Sequence, residues 1–168
     1  MYWYALFVQT GKEETVSKHI KMHLEDCITT LIPKRIVPEK RNNIWLDVEK
    51  KLFPGYILLY TYMDNKKYHI LKQIPYVIKL LTTSPHYLPI TEDEISLILN
   101  LVNKNGIIEY SKISCQNSII TVLDGPLKGY ERLIKKLCKH SKRIKVQINF
   151  INKTKVVDLG IEIANTSK

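Results

Sequence analysis

The 168-residue chain has no run of about 18 apolar residues, so nothing in it reads as a membrane-spanning helix. Its opening, Met1-Tyr2-Trp3-Tyr4, lacks the basic stretch that begins a secretory signal, and a cytoplasmic address is expected. Cysteine is scarce as well. Cys27, Cys115 and Cys138 form an odd set with no CxxC pair, which argues against a disulfide framework and a zinc ribbon and leaves reduced thiols. No Walker loop, GxSxG elbow, HExxH or paired-carboxylate arrangement occurs, so neither catalysis nor a cofactor is expected. His19 and His23 stand four apart on an expected helix, a spacing that can clasp zinc, but no acid or thiol completes a recognisable set. No metal site is expected.

Acidic residues are the other shortage, and it is local. Residues 107–168 hold twelve Lys or Arg against five Asp or Glu, whereas residues 1–106 hold fourteen against eleven. The formal net charge of +10 therefore belongs mainly to the C-terminal third, and a surplus of that size attracts phosphate-rich partners before any specific contact forms. Between Gly125 and Lys155 the sole acid is Glu131. The cations there are Lys128, Arg132, Lys135, Lys136, Lys139, His140, Lys142, Arg143, Lys145, Lys153 and Lys155. Most charge runs are solvated faces. On composition alone this run could be the same, or a surface for a polyanion.

What is present has the composition of an ordinary folded protein, 45% hydrophobic and 25% charged. Trp3 to Thr10 reads as a buried strand ended by Gly11, and Glu13 to Glu25 as a helix with Val16, Ile20, Met22 and Leu24 as its apolar set. Leu31-Ile32-Pro33 and Ile36-Val37-Pro38 read as one edge strand, because proline cannot donate to a ladder. Ile44 to Val48 is a further short strand, and Leu52 to Tyr60 the expected central one. Lys66 to Ile74 has helical spacing, Val77 to Leu81 is again a strand, and Thr91 caps a helix that runs through Leu101. The order suggests an antiparallel or mixed sheet covered by helices, an α+β arrangement. Asn103-Lys104-Asn105-Gly106 is the linker candidate. Beyond it, Ile119–Leu123, Glu131–Leu137, Arg143–Phe150 and Thr154–Leu159 are short runs suited to a small all-β barrel. Leu133, Ile134, Leu137 and Cys138 also fall at helical spacing, over less than two turns.

The phrase Ile119-Ile120-Thr121-Val122-Leu123-Asp124-Gly125-Pro126-Leu127-Lys128-Gly129-Tyr130-Glu131 resembles the KOW motif of transcription and ribosomal proteins. Arg132 departs from that motif, which usually has glycine there, and its presence puts the turn geometry in question. Upstream, Trp3-Tyr4-Ala5-Leu6, Gly11-Lys12-Glu13 and Leu52-Phe53-Pro54-Gly55-Tyr56 are similar in order and spacing to the NusG N-terminal domain. The two resemblances together span nearly the whole chain.

The resemblance implies a NusG-type N-terminal domain over 1–103, a linker over 104–111 and an SH3-like KOW barrel over 112–168. It implies RNA polymerase binding by the first domain, with Phe7, Phe53, Pro54 and Tyr56 as an aromatic surface on one side of the polymerase cleft. If Trp3 and Phe7 share a strand face, Tyr4 points to the other. Lys67, Tyr68 and His69 lie near the region that faces the opposite side of the cleft. The closing phrase Val156-Val157-Asp158-Leu159-Gly160-Ile161-Glu162-Ile163 resembles specialised paralogues, RfaH and especially LoaP, which suppress pausing or termination on long operons. A nascent RNA hairpin and non-template DNA are further implied partners of a monomeric factor without membrane attachment. The alternatives are a general elongation factor whose barrel docks a ribosomal or termination protein, and a ribosome-associated KOW protein.

Overall fold

Local sequence dictates most of the element boundaries in the computed structural model, which describes residues 1–83 and 86–164. In chain order these are β1 (Tyr2–Val8), α1 (Glu13–Leu24), β2 (Thr29–Leu31), β3 (Lys34–Arg41), β4 (Ile44–Lys51), β5 (Tyr56–Thr61), α2 (Asn65–Gln73), β6 (Val77–Leu80), β7 (Thr82–Thr83), β8 (His86–Tyr87) and α3 (Glu92–Leu101). There follow β9 (Ile107–Ile108), β10 (Ser111–Gln116), β11 (Ile119–Asp124), β12 (Ile134–Cys138), β13 (Arg143–Phe150) and β14 (Lys153–Ile163). The expected α+β class holds. Among the described residues no helix is long and apolar enough to cross a membrane.

Contacts divide the chain into two compact units, one formed by Met1–Ile32 with Phe53–Ile95, the other by Pro33–Leu52 with Ser96 onward. The first unit is built on a sheet of order β2-β5-β1-β6, with β5 antiparallel to β1 and central as expected. Tyr4, Leu6 and Val8 point from β1 into a core with Val16, Ile20 and Leu24 of α1 and Leu71 of α2. Those three α1 residues recur every four positions and form one stripe. Met22, expected in that stripe, is 73% exposed, because two positions beyond Ile20 is the far side of a helix. Glu13 and Glu14 complement the N-terminal end of the α1 dipole and Lys21 and His23 its C-terminal end. In α2 the Asp64 side chain accepts from Lys67 N at 2.8 Å, a conventional N-cap that holds the Asp64 carboxyl below its usual range.

The second unit joins a hairpin to the C-terminal strands. The single edge strand expected across residues 31–38 is in fact two. Chain entering Pro33 leaves the first sheet as β2, its edge, and resumes as β3 in a separate sheet of order β4-β3-β9. Pro38 is tolerated in β3 because β9 pairs only with Lys34 and Arg35, so no ladder continues past Pro38 on that side. Asn103 Oδ1 accepts from the amides of Asn105 and Ile107, and Gly106 O accepts from Lys34 N, so residues 103–107 form a hydrogen-bonded turn into β9.

The C-terminal sheet has order β11-β10-β14-β13-β12, antiparallel except for β10 beside β14. Alternation along β13 buries Ile144, Val146, Ile148 and Phe150. Residues 134–138 are extended, so the short helical spacing there is overridden by pairing with β13. The turn at residues 124–129 has a plain mechanical basis. Gly125 has φ +98°, and a Cβ there would lie 2.7 Å from both Ser111 Cα and Tyr110 O. That approach lets Ser111 Oγ accept from Leu127 N at 3.0 Å while the Leu127 side chain is fully buried. Arg132 sits in a 3-10 turn, Glu131–Leu133, without positive φ, so the usual glycine is not needed.

Gly160 is the tightest glycine. A Cβ there would collide with the Tyr110 ring and lie 2.7 Å from Ile36 O. Gly160→Ala is therefore expected to lower stability by about 1–3 kcal/mol through forced repacking, whereas Gly129→Ala, with open space around it, costs only the left-handed backbone term of about 1–2 kcal/mol. Urea denaturation of the two variants, with Gly160→Ala the worse, checks this ordering.

Candidate functional site

Two separate surfaces carry the residues that the sequence singles out, one in each unit. In the first, the distant phrases Gly11-Lys12-Glu13 and Phe53-Pro54-Gly55-Tyr56 prove to be one device. Glu13 is fully buried, and its Oε1 accepts from Gly55 N at 2.7 Å. Gly55 O in turn accepts from Val8 N at 2.8 Å. Gly55 has φ +83°, and a Cβ there would crowd Phe7 Cε2 at 3.2 Å. The helix start thus fixes the turn, and the turn places Tyr56 opposite Phe7.

Register explains the aromatic surface. Trp3 pairs with Tyr60 and Phe7 with Tyr56 across β1 and β5, with ring centroids 5.1 Å and 5.2 Å apart. All four are half-buried on the face opposite Tyr4, Leu6 and Val8. Trp3 and Phe7 do share a face, as period-two alternation requires. Tyr60 was missed as a member of the set, although its place four residues after Tyr56 would have shown it. Pro54 is exposed. Phe53 corrects the expectation of a surface aromatic: it is 1% exposed, its side chain buried where Pro54 beside it is exposed. It supports the surface and offers none of its own.

Lys67, Tyr68 and His69 open α2. Lys67 Nζ donates to Tyr62 O at 2.6 Å and lies 3.4 Å from Asp64 Oδ2. Tyr68 packs against Tyr87 at 5.3 Å, with Lys72 over its ring, while His69 is exposed. Tyr68 is thus a packed, half-buried ring and His69 the member that faces solvent. His19 and His23 stack 6.3 Å apart on α1. Among the described residues no group of three His, Cys, Asp or Glu is placed to hold a metal.

The second surface sorts the cations into two classes. Arg143 donates through Nε and Nη2 to Pro38 O at 3.2 and 2.8 Å and lies within 3.8 Å of Glu39 and Asp158. Lys145 donates to Asp158 Oδ1 at 2.9 Å, and that bond raises its pKa. Arg35, which the charge pattern did not reveal, donates to Asp158 O at 2.8 Å. Lys155 lies 5.6 Å from the Phe150 ring centre, its pKa lowered by burial and then by Lys153. Arg35 and Arg143 tie the hairpin to the sheet, while Lys145 and Lys155 make their contacts within it. In contrast Lys128, Arg132, Lys135, Lys136, Lys139 and Lys153 are exposed and make no ion pair among the described residues. A bulge between Ile134 and Lys136 turns both Lys135 and Lys136 outward. His140 and Lys142 are exposed at the adjoining 3-10 turn, Lys142 over the Trp45 ring at 4.9 Å. Asn100 Nδ2 donates to the Tyr130 hydroxyl oxygen at 3.0 Å, which ties that ring to α3.

A half-buried aromatic ladder in one unit and an unpaired basic strand in the other suit a protein partner and a polyanion respectively. The family model described as "Transcription termination factor nusG" matches residues 1–99. The chain belongs to the NusG family. Over 165 residues it is 30% identical to the transcription termination/antitermination protein NusG of Rickettsia prowazekii, an alignment that covers 94% of this chain and 86% of that one. Against the Vibrio cholerae NusG of the same description identity is 28%, over 94% and 91% of the two chains. The solved structure titled "Domain interaction in Thermotoga maritima NusG" is similar in fold, with TM-score 0.59, 20% identity and 95% and 93% coverage. Within the NusG fold the Glu13 to Gly55 bond is the local support of the aromatic ladder. Glu13→Ala should lower stability by about 1–3 kcal/mol by leaving the Gly55 amide buried without its acceptor. Glu13→Gln, which keeps a side-chain carbonyl, should lose less, as chemical denaturation of both variants will show.

Proposed function

We propose that this NusG-family chain is a specialised antitermination and elongation factor of the LoaP and RfaH-like kind. Its N-terminal domain, residues 1–103, binds RNA polymerase, and its basic KOW domain, residues 112–168 beyond the 104–111 segment, binds a nascent RNA hairpin that marks a particular operon. It acts in the cytoplasm as a monomer and is not an enzyme. The observation that carries the RNA half is the set of exposed, unpaired cations on and beside β12, in a stretch whose one acid is Glu131. A surface lacking its own counter-charges must recruit them from solution or from phosphate, and release of counterions favours phosphate.

The polymerase half rests on Phe7, Tyr56 and Pro54, with Phe53 buried in the same turn and Trp3 and Tyr60 continuing the ladder. Rigid aromatic rings bury large area at small entropic cost, which makes them suitable anchors. Lys67, Tyr68 and His69 are proposed to face the other side of the polymerase cleft, and non-template DNA is a further candidate contact. Two contacts on one chain raise the effective concentration of the second, so each can be modest alone. A second reading, a general factor whose KOW domain docks a ribosomal or termination protein, is favoured by Ile119 and Leu123, 69% and 41% exposed on the edge strand β11.

The test separates the two halves. Lys135→Glu, Lys136→Glu and Lys139→Glu combined should abolish binding to a leader-hairpin RNA and leave polymerase binding intact. They avoid Arg143, whose loss would loosen the hairpin. Each phosphate contact removed should flatten the salt dependence of affinity by about one unit of log–log slope. Phe7→Ala should do the converse. RNA affinity unchanged across the triple variant and a salt titration would sink the RNA-reading function in favour of protein docking.

A further inference from the structure

The hairpin β3–β4 holds an aromatic residue that neither the aromatic ladder nor the basic strand accounts for. Trp45 is 38% exposed and, with Lys142 held over its ring, borders a shallow groove of about 410 Å³ that His140, Ser141 and Arg143 also line. Lys40 is the direct cross-strand partner of Trp45, so both side chains leave the hairpin on one face. Lys142 takes the left-handed conformation, φ 51° and ψ 43°, at the end of the 3-10 turn. A lysine pays a conformational cost there, and the result is an ammonium set beside an indole. Glu39 also lines the groove, but its carboxylate is engaged by Lys50 and by Arg41 at 3.0 Å, and both bonds lower its pKa. Counting Arg143, the groove remains positively charged.

A cationic groove bordered by a partly exposed indole matches a nucleotide whose base is unstacked. The base finds a π surface in Trp45, and the phosphates find Lys40 and Lys142. Ser141 Oγ donates to Cys138 O at 3.3 Å, which leaves its lone pairs to accept from a ribose 2′-hydroxyl. An acidic peptide would satisfy the cations but would bring no flat ring for the indole, which favours a nucleotide. We propose that Trp45, Lys40, His140 and Lys142 form a site for one unpaired RNA nucleotide, so that the RNA surface extends from the KOW strands onto the hairpin 34–51. This rests on the RNA-binding reading above and adds to it a base-stacking contact outside the KOW domain.

The experiment uses the full chain with a short oligouridylate, the matching oligodeoxythymidylate and an oligoglutamate peptide, followed by tryptophan emission and by affinity. Oligouridylate should quench the wild type, and the quenching should vanish in Trp45→Phe, which leaves Trp3 as reporter. Trp45→Ala should weaken oligouridylate binding about tenfold, and Trp45→Phe, which keeps a ring, by less than about threefold. Circular dichroism of both variants separates lost stacking from lost folding. Unchanged emission, or equal affinity of Trp45→Ala and wild type, overturns the stacking site even if hairpin RNA still depends on Lys135, Lys136 and Lys139. Stronger quenching by the deoxy oligomer overturns the assignment to RNA, and equal quenching by oligoglutamate overturns the assignment to nucleic acid. Loss of hairpin binding in the triple lysine variant with quenching by oligouridylate retained separates the two sites.

Discussion

The missing side chain at Gly160 is the constraint on which the second unit depends. It admits the Tyr110 ring and the Ile36 carbonyl against β14, and with that approach made, the polar ties become possible. Arg35 reaches Asp158 O, Arg143 reaches Pro38 O, and Tyr110 donates to Asp47 at 2.5 Å. Burial first and that bond second push the Tyr110 phenol well above its ordinary range, so it remains a donor at any physiological pH. None of these ties is a strong exposed salt bridge. Their worth lies in satisfying backbone carbonyls and a half-buried guanidinium, groups that are expensive to leave unpaired.

The first unit has an analogous economy. A buried carboxylate is costly, yet Glu13 is placed where a left-handed glycine turn exposes an amide that the sheet cannot use. The bond gives the Gly55 amide its acceptor and sets the height of the turn. The Phe7 and Tyr56 rings then meet, tilted by 39°, through strand register. For the polymerase contact proposed above, a surface assembled this way is preorganised by backbone pairing, so few rotamers would need freezing.

Much of this was legible in the sequence, and the parts that were not share a cause. Strand and helix periodicity located β1, α1, β5 and α3, and the glycine phrases located both turns. Phe53 was taken for a surface ring because composition cannot tell which way a turn residue points. Residues 31–38 looked like one strand because apolar residues and prolines recur on either side of Pro33, and only the pairing partners reveal a change of sheet. β10, Ser111–Gln116, gave no signal, since Ser, Lys and Gln break its apolar alternation while its place between β11 and β14 supplies the pairing. Arg35 and Trp45 escaped for a related reason: their partners lie about a hundred residues away, and no local pattern encodes that distance.

Net charge is the clearest case of a correct signal that needed structure to interpret. Eleven basic residues look equivalent in the sequence, but Arg143 and Lys145 spend their charge on Pro38, Glu39 and Asp158, and Lys155 is turned toward Phe150. What remains available to a phosphate backbone is a smaller set concentrated on β12 and its flanking 3-10 turns. Because Arg143 also anchors the hairpin that carries Trp45, neutralising it would alter geometry and field together. The unpaired lysines change only the field. That separation between cations that build the surface and cations that face outward from it allows electrostatic attraction to be varied without disturbing the fold.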